Sequence, residues 1–423
     1  MASTVHAPRG TQDILPPDSA RWSALEARAR EVAGRFGYEE IRTPMFEATE
    51  LFVRGVGETT DIVEKEMYTF TDKGDRSMTL RPEWTAPVVR AALEHKLFAQ
   101  GARRFFYIGP IFRYERPQKG RYRQAHQFGV ECFGYEQPQA DAEVISLAWD
   151  LVRSHGITDA VLHLNTIGDA ACRPLYRDAL LAHFRPHLAS LSEDSQRRLE
   201  RNPMRILDSK DAADAAYIAT APTLSSVLCQ PCRDHFEAVQ NALRSANIPF
   251  VLNEKVVRGL DYYTRTVFEI TSSVLGAQST VCGGGRYDEL VSSLGGPATP
   301  AVGFGLGLER FLMILDALGI HSETTRSGVQ AIALGADARE RLFTLVAQMR
   351  QETSMPVFMD FGDRKILAHL KIADRNAARY ALILGSEELA KNEIVLRDLQ
   401  TRSERRLPLG SGKEVCAAVG ELE

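Results

Sequence analysis

The sequence predicts an α+β protein in which a large domain of antiparallel strands and flanking helices is followed by a small α/β domain. The chain has 423 residues, which exceeds a single small core and favours two or three domains. Strand-like runs within residues 105–133 and 250–282 are separated by a helical stretch over about 170–245. Strands and helices then alternate from residue 329 onward, which is typical of a separate α/β unit.

The large domain begins with an amphipathic helix over residues 19–36, where apolar residues recur at steps of three and four. A short strand over 38–44 follows, and Pro44 ends it because proline donates no hydrogen bond to a sheet. Residues 105–115 and 126–133 predict an antiparallel strand pair with a long connecting loop. The remaining predicted elements are a helix over 140–155, a strand over 161–165, strands within 250–282 and a helix over 308–318.

The small domain follows the polar segment 322–328, which is expected to be a linker. Its predicted strands are 330–334, 357–359, 380–384 and 393–397, and its predicted helices are 338–352, 364–376 and 413–420. The expected boundaries are 1–165 and 249–321 for the two parts of the large domain, 166–248 for the helical insertion, 322–328 for the linker and 329–423 for the small domain.

The composition is that of a soluble globular protein, with 44% hydrophobic and 25% charged residues. A formal net charge of −4 attracts no nucleic acid overall, so such a partner would be held by local basic patches. No apolar run reaches the roughly 18 residues of a membrane span. Residues 1–15 carry proline, glycine and polar residues where a signal peptide has an apolar core. We therefore expect a cytoplasmic protein without a membrane segment.

The cysteines predict neither a disulfide framework nor a metal site. Six are scattered over the chain, too few for a disulfide scaffold of this size. Cys229 and Cys232 form the only close pair, and a structural zinc ion needs a second Cys pair or a His pair. Only His235 lies nearby, so we expect no metal and reduced thiols in a helical segment. The other cysteines are Cys132, Cys172, Cys282 and Cys416.

The residues from Arg258 to Arg265 combine two cations, a glycine, a carboxylate and the adjacent Tyr262 and Tyr263. They lie between the strand-like residues 250–252 and the β-favouring residues 266–270. A buried strand has no need of so many donors, because unpaired polar groups cost stability away from water. The set predicts a site for a small, polar, partly aromatic ligand with negative charge, and a solvated hairpin edge is the alternative.

Residues 113–123 place five cations and one carboxylate in eleven positions, and Pro117 and Gly120 mark a projecting loop. Arg113 is predicted to lie on the preceding strand, where an arginine presents a fixed fork to a phosphate. Arg113 and Glu115 alternate on that strand and would point to the same side. The loop cations suit a nucleic-acid backbone, and a merely solvated basic loop is the alternative.

Gly303, Gly305 and Gly307 recur at every second position before Arg310. In a strand this spacing removes the side chains from one face and leaves a flat bed for a planar base or ribose. Arg310 is predicted at the start of the next helix. A dinucleotide-binding fingerprint is the alternative, but here the third glycine comes one residue early. The sequence has no Walker loop, so any ATP would be bound without one.

Further polar residues suit a ligand with an amino group. Glu83 and Thr85 supply a carboxylate and a hydroxyl beside a proline bend, although Pro-Glu also opens helices by capping. Gln127 and Glu131 lie four positions apart on the second strand of the pair and so share a face. Residues Cys282–Asp288 contain three consecutive glycines and predict a turn where backbone approaches a ligand closely.

Together these stretches resemble the class II aminoacyl-tRNA synthetases, and within them the histidyl-tRNA synthetase family. Phe112–Glu115 matches the F-R-x-E start of the second class motif, and Gly303–Arg310 matches the third. The region ending at Pro44 is similar to the first motif, which lies at the dimer interface of this class. Stretches that look like features of the histidine-specific family are Val257–Tyr263, Gly283–Asp288, Glu115–Gln124 and Arg9–Asp13.

The resemblance implies a homodimer that activates L-histidine with ATP and Mg²⁺ and transfers it to tRNA(His). It also implies a class II catalytic domain with a helical insertion and a C-terminal anticodon-binding domain. The implied catalytic residues are Arg258, in the place of a metal ion, and Arg113. The implied histidine-binding residues are Glu83, Thr85, Gln127, Glu131, Tyr262 and Tyr263. The implied ATP-binding residues are Arg113, Glu115, Arg121 and Arg310. The implied tRNA-binding residues are Arg116, Gln118, Lys119 and Arg123, in a loop that resembles the family's reader of the extra 5′ guanosine.

Two positions depart from the family pattern. Ala125 stands where a phenylalanine stacks on adenine, and Trp84 stands where glycine is usual. Trp84 either crowds the site for the amino group or fills the volume that Ala125 leaves. The alternative function is the non-catalytic regulatory subunit of ATP phosphoribosyltransferase, which typically lacks the anticodon domain and the arginine stretch at 258–263. A prolyl or glycyl synthetase, or a dehydrogenase, explains fewer of these residues.

Overall fold

The computed structural model describes residues 5–57, 60–118, 120–256, 260–278, 280–320 and 326–420. The chain divides into two compact units, Met1–His321 and Ser322–Glu423. None of the helices described is both long enough and apolar enough to cross a membrane.

The first unit is built around a large sheet. Its strands are β1 (Glu39–Glu40), β2 (Phe46–Ala48), β3 (Tyr68–Thr71), β4 (Ser77–Leu80), β5 (Arg103–Phe112), β6 (Gln124–Phe133), β7 (Val161–Thr166), β8 (Val251–Leu252), β9 (Thr264–Thr271), β10 (Thr280–Arg286) and β11 (Ala301–Gly307). Among the described residues, eight strands form one sheet in the order β1-β5-β6-β11-β10-β9-β7-β8, and β2, β4 and β3 form a smaller one. The large sheet is antiparallel apart from the parallel pairs β1–β5 and β7–β8 at its ends.

Helices cover both faces of the large sheet. They are α1 (Asp18–Arg35), α2 (Thr49–Val56), α3 (Thr85–Glu94), α4 (Pro138–Ser154), α5 (Cys172–Phe184), α6 (Glu193–Arg201), α7 (Ala212–Ala219), α8 (Gln230–Ser245), α9 (Leu290–Ser293) and α10 (Leu308–Ala317). Phe106 of β5 joins a core with α1, α4 and α10, while its neighbours Phe105 and Tyr107 join a second core with α3 and α5. Because successive strand residues face opposite sides, a strand buried on both faces has an almost continuous run of apolar residues.

The predicted helical stretch over about 170–245 is confirmed, since α5 to α8 occupy it and its described residues form no strand. The last of these helices packs on α4, where the buried His235 lies 3.4 Å from Asp141. His235 therefore pairs with a buried carboxylate of α4.

The second unit has a sheet of its own. Its strands are β12 (Val329–Ala333), β13 (Val357–Met359), β14 (Tyr380–Leu384), β15 (Glu393–Asp398) and β16 (Glu404–Pro408), and its helices are α11 (Ala336–Glu352), α12 (Ile366–Arg375), α13 (Ser386–Ala390) and α14 (Gly412–Gly420). The strand order is β13-β12-β14-β15-β16, parallel among the first three and antiparallel for the last two pairs. The predicted α+β class with a C-terminal α/β domain is confirmed, although β16 was not predicted.

Two local predictions were wrong. Arg113 lies one residue beyond β5, because the next amide, that of Tyr114, donates to the carbonyl of Glu66 at 2.7 Å and the chain leaves β6. Cys282–Asp288 is mostly strand β10 and not a turn. Its glycines are needed for close packing between strands, since a Cβ at Gly284 would lie 2.1 Å from the carbonyl oxygen of Gly303.

Arg286, at the end of β10, is fully buried and faces the core. Its Nε lies 3.1 Å from Oδ2 of Asp141 on α4, and its Nη1 donates to the carbonyl of Tyr135 and to Asp288, both at 3.0 Å. Burial raises the pKa of Asp141, but Arg286 and His235 outweigh it and hold that pKa at about 2. The pair is an internal ion pair that joins α4 to β10 and α8.

Candidate active site

Two cavities share a wall formed by the central strands β6, β10 and β11. The first has a volume of about 80 Å³ and the second a volume of about 220 Å³. The residues that line both are Arg113, Gln127, Gly283 and Gly305. The cavities therefore adjoin, with the guanidinium-bearing Arg113 at their junction.

The first cavity brings together all the described residues that were predicted to bind an amino acid. They are Glu83, Thr85, Gln127, Glu131, Tyr262 and Tyr263. The two tyrosines form a tilted pair with ring centroids 4.8 Å apart, and Tyr262 also contacts the ring of Tyr287 edge-on. Burial raises the pKa of Tyr262 well above its usual value, so its phenol keeps its proton and is a donor.

Glu131 is the centre of the hydrogen bonds in this cavity. It is 1% exposed and accepts from Thr85 Oγ1 at 2.8 Å and from the Tyr107 hydroxyl at 3.2 Å. The Tyr287 hydroxyl donates to its other oxygen. Burial raises the pKa of Glu131 to about 8, although these three donors favour the charged form. The pKa of such a carboxyl group shifts readily when a ligand brings a further hydrogen-bonding group.

Glu83 lies at the start of α3. Its two oxygens accept the backbone N–H groups of Thr85 at 2.7 Å and Ala86 at 2.8 Å. Glu83 therefore caps the N-terminus of α3, which is the alternative role that the sequence allowed. Each carboxylate oxygen still has a lone pair free for a further donor, so capping and the binding of an ammonium group are compatible.

The glycines of β11 are explained by the side chains opposite them. A Cβ at Gly303 would lie 2.0 Å from Oε2 of Glu131, and a Cβ at Gly305 would lie 3.6 Å from the amide nitrogen of Gln127. Gly307 borders only the second cavity, and nothing lies within 4 Å of a Cβ built there. The flat bed thus extends along both cavities, and its first position makes room for Glu131.

The second cavity contains all four residues predicted to bind a nucleotide, namely Arg113, Glu115, Arg121 and Arg310. Arg113 Nε donates to the carbonyl of Pro82 at 2.8 Å, which fixes its direction, and Glu115 lies 3.4 Å from Arg121. Burial lowers the pKa of Arg310, and the nearby positive charge of Arg121 lowers it further. Cations held this close to one another suit an anionic ligand.

Comparison with known proteins assigns this arrangement to a family. The sequence model described as "Histidyl-tRNA synthetase" matches residues 10–311, a stretch that contains both cavities. The chain belongs to the histidyl-tRNA synthetase family. A second model, described as "Anticodon binding domain", matches residues 329–418 of the second unit.

Relatives in the family match over the full chain. A protein of Moorella thermoacetica named histidine–tRNA ligase is 50% identical over 417 residues, which are 98% of this chain and 98% of that protein. The crystal structure of the apo histidyl-tRNA synthetase of Staphylococcus aureus superposes with a TM-score of 0.82 at 37% identity, covering 96% of this chain and 98% of the other. The class II fold predicted from the motifs is therefore shown.

A more distant structure shares the fold alone. It is described as an ATP phosphoribosyltransferase regulatory subunit/histidyl-tRNA synthetase from Bacillus halodurans C, and it has a TM-score of 0.65 at 21% identity. It covers 91% of this chain and 100% of that one.

The loop between β5 and β6 has a hairpin at its tip. The backbones of Gln118 and Arg121 exchange hydrogen bonds of 3.2 and 2.9 Å. The side chains of Arg116 and Gln118 are exposed. Arg123 is half-buried, since its guanidinium lies 3.9 Å from the Tyr114 ring and its Nε donates to the carbonyl of Glu115 at 3.4 Å. Lys119 and Arg258, the remaining predicted site residues, lie outside the described residues.

The two departures from the family pattern lie in different cavities. Trp84 stacks on Tyr107 with centroids 4.7 Å apart, beneath the guanidinium of the buried Arg81. Ala125 lines the second cavity. The structure therefore does not support the idea that Trp84 fills the volume left by Ala125. Trp84 instead packs behind a tyrosine that donates to Glu131.

Three site residues were not identified from the sequence. Tyr107 and Tyr287 donate to Glu131, and Glu309 of α10 accepts both the backbone N–H and the ring nitrogen of His126 at 2.9 Å. Tyr107 lies on β5 directly beside the second strand of the pair, and its alternation with Phe106 is the signal that would have placed it on the cavity face.

Proposed function

We propose that this protein is a histidine–tRNA ligase. In the first step a carboxylate oxygen of L-histidine attacks the α-phosphorus of ATP, forming histidyl adenylate and releasing pyrophosphate. In the second, the 3′ hydroxyl of the terminal ribose of tRNA(His) attacks the histidyl carbonyl and AMP leaves. The observation that carries the proposal is the pair of adjoining cavities, one with the six candidate histidine residues and one with the four candidate ATP residues.

Histidine fits the first cavity by its chemistry. Its ammonium group would be held by Glu83 and Thr85, and its imidazole would lie between Glu131 and Tyr263, an acceptor and a donor for the two ring nitrogens. An amino acid without those nitrogens would leave the buried Glu131 without its partner. Gln127, which borders both cavities, would hold the carboxylate toward ATP.

Activation brings two anions together, and cations at the junction would stabilise the charge that develops. Arg113 is held there by its bond to Pro82, so its fork needs little reorganisation. Arg310 would cover the adenine and reach the terminal phosphate, with Glu115 and Arg121 completing the nucleotide site. Arg258, which we propose as a second catalytic cation, lies two residues before Leu260 of the cavity wall.

Magnesium would enter the site together with ATP, bound to the phosphates of the nucleotide. The donor set fits this role, because Oε2 of Glu115 is buried and accepts no hydrogen bond among the described residues, its nearest cation being Arg121 at 3.4 Å. Hard carboxylate and water oxygens are what Mg²⁺ prefers. When bound, the ion would neutralise the phosphate charge, and Glu115 would be the carboxylate that helps to hold it.

The exposed loop tip would read the acceptor end of the tRNA. Because the backbone bonds of Gln118 do not involve its side chain, Gln118→Ala removes only the amide and leaves the hairpin in place. The variant is expected to discriminate less between tRNA with and without the extra 5′ guanosine, by the roughly 1–3 kcal/mol of a specific base contact. Aminoacylation rates on the two tRNAs measure this directly.

Arg116→Ala is the matched variant, since Arg116 is also exposed and carries charge without base specificity. It should weaken the binding of both tRNAs to the same extent and make that binding less dependent on salt concentration. Arg123→Ala is a poorer choice because it would also remove the packing on Tyr114. Unchanged discrimination by the Gln118 variant would assign the guanosine reading to another element.

We further propose a function for each part of the chain and a homodimeric assembly. Residues 1–165 and 249–321 would catalyse, 166–248 would form an insertion, 322–328 a linker, and 329–423 would bind the anticodon. A homodimer is supported by Met45, Phe46 and Phe70, apolar side chains that are 52%, 52% and 44% exposed beside the first motif. The cytoplasm is the proposed compartment, because the tRNA substrates are there.

ATP–pyrophosphate exchange with each amino acid in turn tests the proposed activity. We expect exchange with histidine and none above background with the others, in the absence of tRNA. A regulatory subunit would exchange with no amino acid, and a different class II synthetase would exchange with another one. Either result would overturn the proposal.

A further inference from the structure

Away from the two cavities, three thiols and a carboxylate meet at the base of the helical insertion. Cys172 is the first residue of α5, Asp169 lies three residues before it, and Cys229 and Cys232 flank the start of α8. One ligand atom from each residue lies within 4.8 Å of all the others. Cys172 and Cys232 are buried, and Asp169 and Cys229 are half-buried.

The local backbone already orients these four groups. Asp169 Oδ1 accepts the backbone N–H of Ala171 at 3.0 Å, and Cys172 Sγ accepts the backbone N–H of Cys229 at 3.1 Å. Gly168, with φ +62°, permits the tight turn, since a Cβ there would lie 2.5 Å from the Cβ of Cys172. A D-x-x-C turn thus faces a C-x-x-C turn across a gap of ligand size.

We propose that Asp169, Cys172, Cys229 and Cys232 form a structural zinc site. Thiolates with one carboxylate are a donor set that favours Zn²⁺ over hard cations, and four protein ligands make a closed, non-catalytic site. A tetrahedron with Zn–S bonds of about 2.3 Å has edges of roughly 3.8 Å, so the ligand atoms need to move inward by about 1 Å at most. This proposal departs from the expectation of no metal, which considered only the close pair Cys229 and Cys232, because Cys172 lies 57 residues before Cys229 in sequence.

Two features near the four groups would offset the negative charge of bound ligands. Cys229 directly precedes α8, whose N-terminus favours negative charge. The Arg265 guanidinium, 3.6 Å from Asp169, offsets part of the negative charge of the ligands.

The site would connect the insertion to the wall of the first cavity. The backbone N–H of Arg265 donates to Gly168 at 2.6 Å, and that of Ile167 donates to Arg265 at 2.8 Å. Arg265 lies two residues after Tyr263 in the chain. An ion bound to Asp169 and Cys172 would therefore help to fix the position of the segment that carries Tyr262 and Tyr263. It would also join the two ends of the insertion, α5 and α8, and so stabilise the insertion as a unit.

Metal analysis of the full-length protein, reconstituted under reducing conditions with Zn²⁺ and then dialysed, tests the proposal. We expect one zinc per chain, and with Co²⁺ the absorption of tetrahedral thiolate coordination. Cys229→Ser and Cys232→Ser should lose both signals. Cys416→Ser is the control, because Cys416 is also half-buried but lies in the second unit and should leave both unchanged.

Asp169 provides a test that keeps all three thiols. Asp169→Asn is expected to weaken Zn²⁺ binding by at least about tenfold, and Asp169→Cys to bind at least as tightly as the parent. Zinc absent from the reconstituted parent, zinc retained equally by the Cys232 variant, or a Cys229–Cys232 disulfide as the only stable state would overturn the proposal. Metal content is independent of histidine exchange, so this test and that of the ligase activity can fail separately.

Discussion

Arg113→Ala is expected to slow histidyl adenylate formation by roughly 10²–10³-fold, the usual cost of removing one preorganised donor from developing charge. Arg113 borders both cavities, and its Nε bond to Pro82 points its fork into the junction. Single-turnover formation of the adenylate, with ATP and histidine saturating, measures the step itself. Histidine affinity should change far less than the rate, because the residue acts where the two substrates meet.

Two variants make this result specific. Arg113→Lys keeps the charge but loses the planar fork, so it should recover part of the rate and not all of it. Arg76→Ala removes an exposed arginine whose ion pair, with Asp72, lies in the turn between β3 and β4, and it should adenylate like the parent. A rate for Arg113→Ala within about tenfold of the parent would exclude Arg113 from the transition state.

Glu131→Gln is expected to lower kcat/KM for histidine by roughly 10–100-fold while leaving the KM for ATP within twofold. Above its pKa of about 8, where the assay is run, Glu131 is a charged acceptor at a site 1% exposed, and the change replaces one of its oxygens with a donor that faces the hydroxyls of Thr85 or Tyr287. Charge-assisted hydrogen bonds contribute about 1.5–3 kcal/mol, which corresponds to this range. Initial rates of pyrophosphate exchange against histidine concentration give both constants.

A pH profile separates this role from a structural one. The pKa of Glu131 is about 8, so in the parent the carboxyl ionises between about pH 7 and 9 and becomes a stronger acceptor for an imidazole N–H. The histidine KM should fall over that window, and the variant should lose this dependence. Glu143→Gln is the control, since Glu143 pairs with Arg104 at 3.0 Å and lines neither cavity. If the Glu131 variant keeps the parent's KM and profile, its carboxyl only supports the fold.

Much of the site was predictable because it rests on periodicity within single strands. Gln127 and Glu131 were placed on one face by their spacing, and the alternating glycines were predicted to leave one strand face flat; the structure pairs that strand, β11, with β6. Local chain direction was harder to predict. Nothing in the residues around Arg113 indicates that Tyr114 bonds to Glu66, a contact 48 positions away that ends the strand early.

The features that were missed depend on contacts between distant segments or lack an apolar pattern. Cys172 and Cys229 meet only once the insertion has folded, so their spacing in sequence carries no zinc signature. Strand β16 is an edge strand with Glu404, Arg405 and Arg406 exposed, and its charges hide the alternation that identifies a strand. Charged edges of this kind protect a sheet from pairing with another chain, so the missing signal has a physical cause.

The buried ion pair of Arg286 changes what the two histidine-specific signatures mean. The stretch Val257–Tyr263 ends at tyrosines that face the ligand cavity, whereas the arginine of Gly283–Asp288 faces the core and bonds to Asp141. Selection for a stable core alone would preserve Arg286, even in a descendant that no longer charges tRNA. Within this family, Arg286 taken alone is therefore evidence of ancestry, whereas Tyr262, Tyr263 and Tyr287, which line the ligand cavity, are the better evidence of a working enzyme.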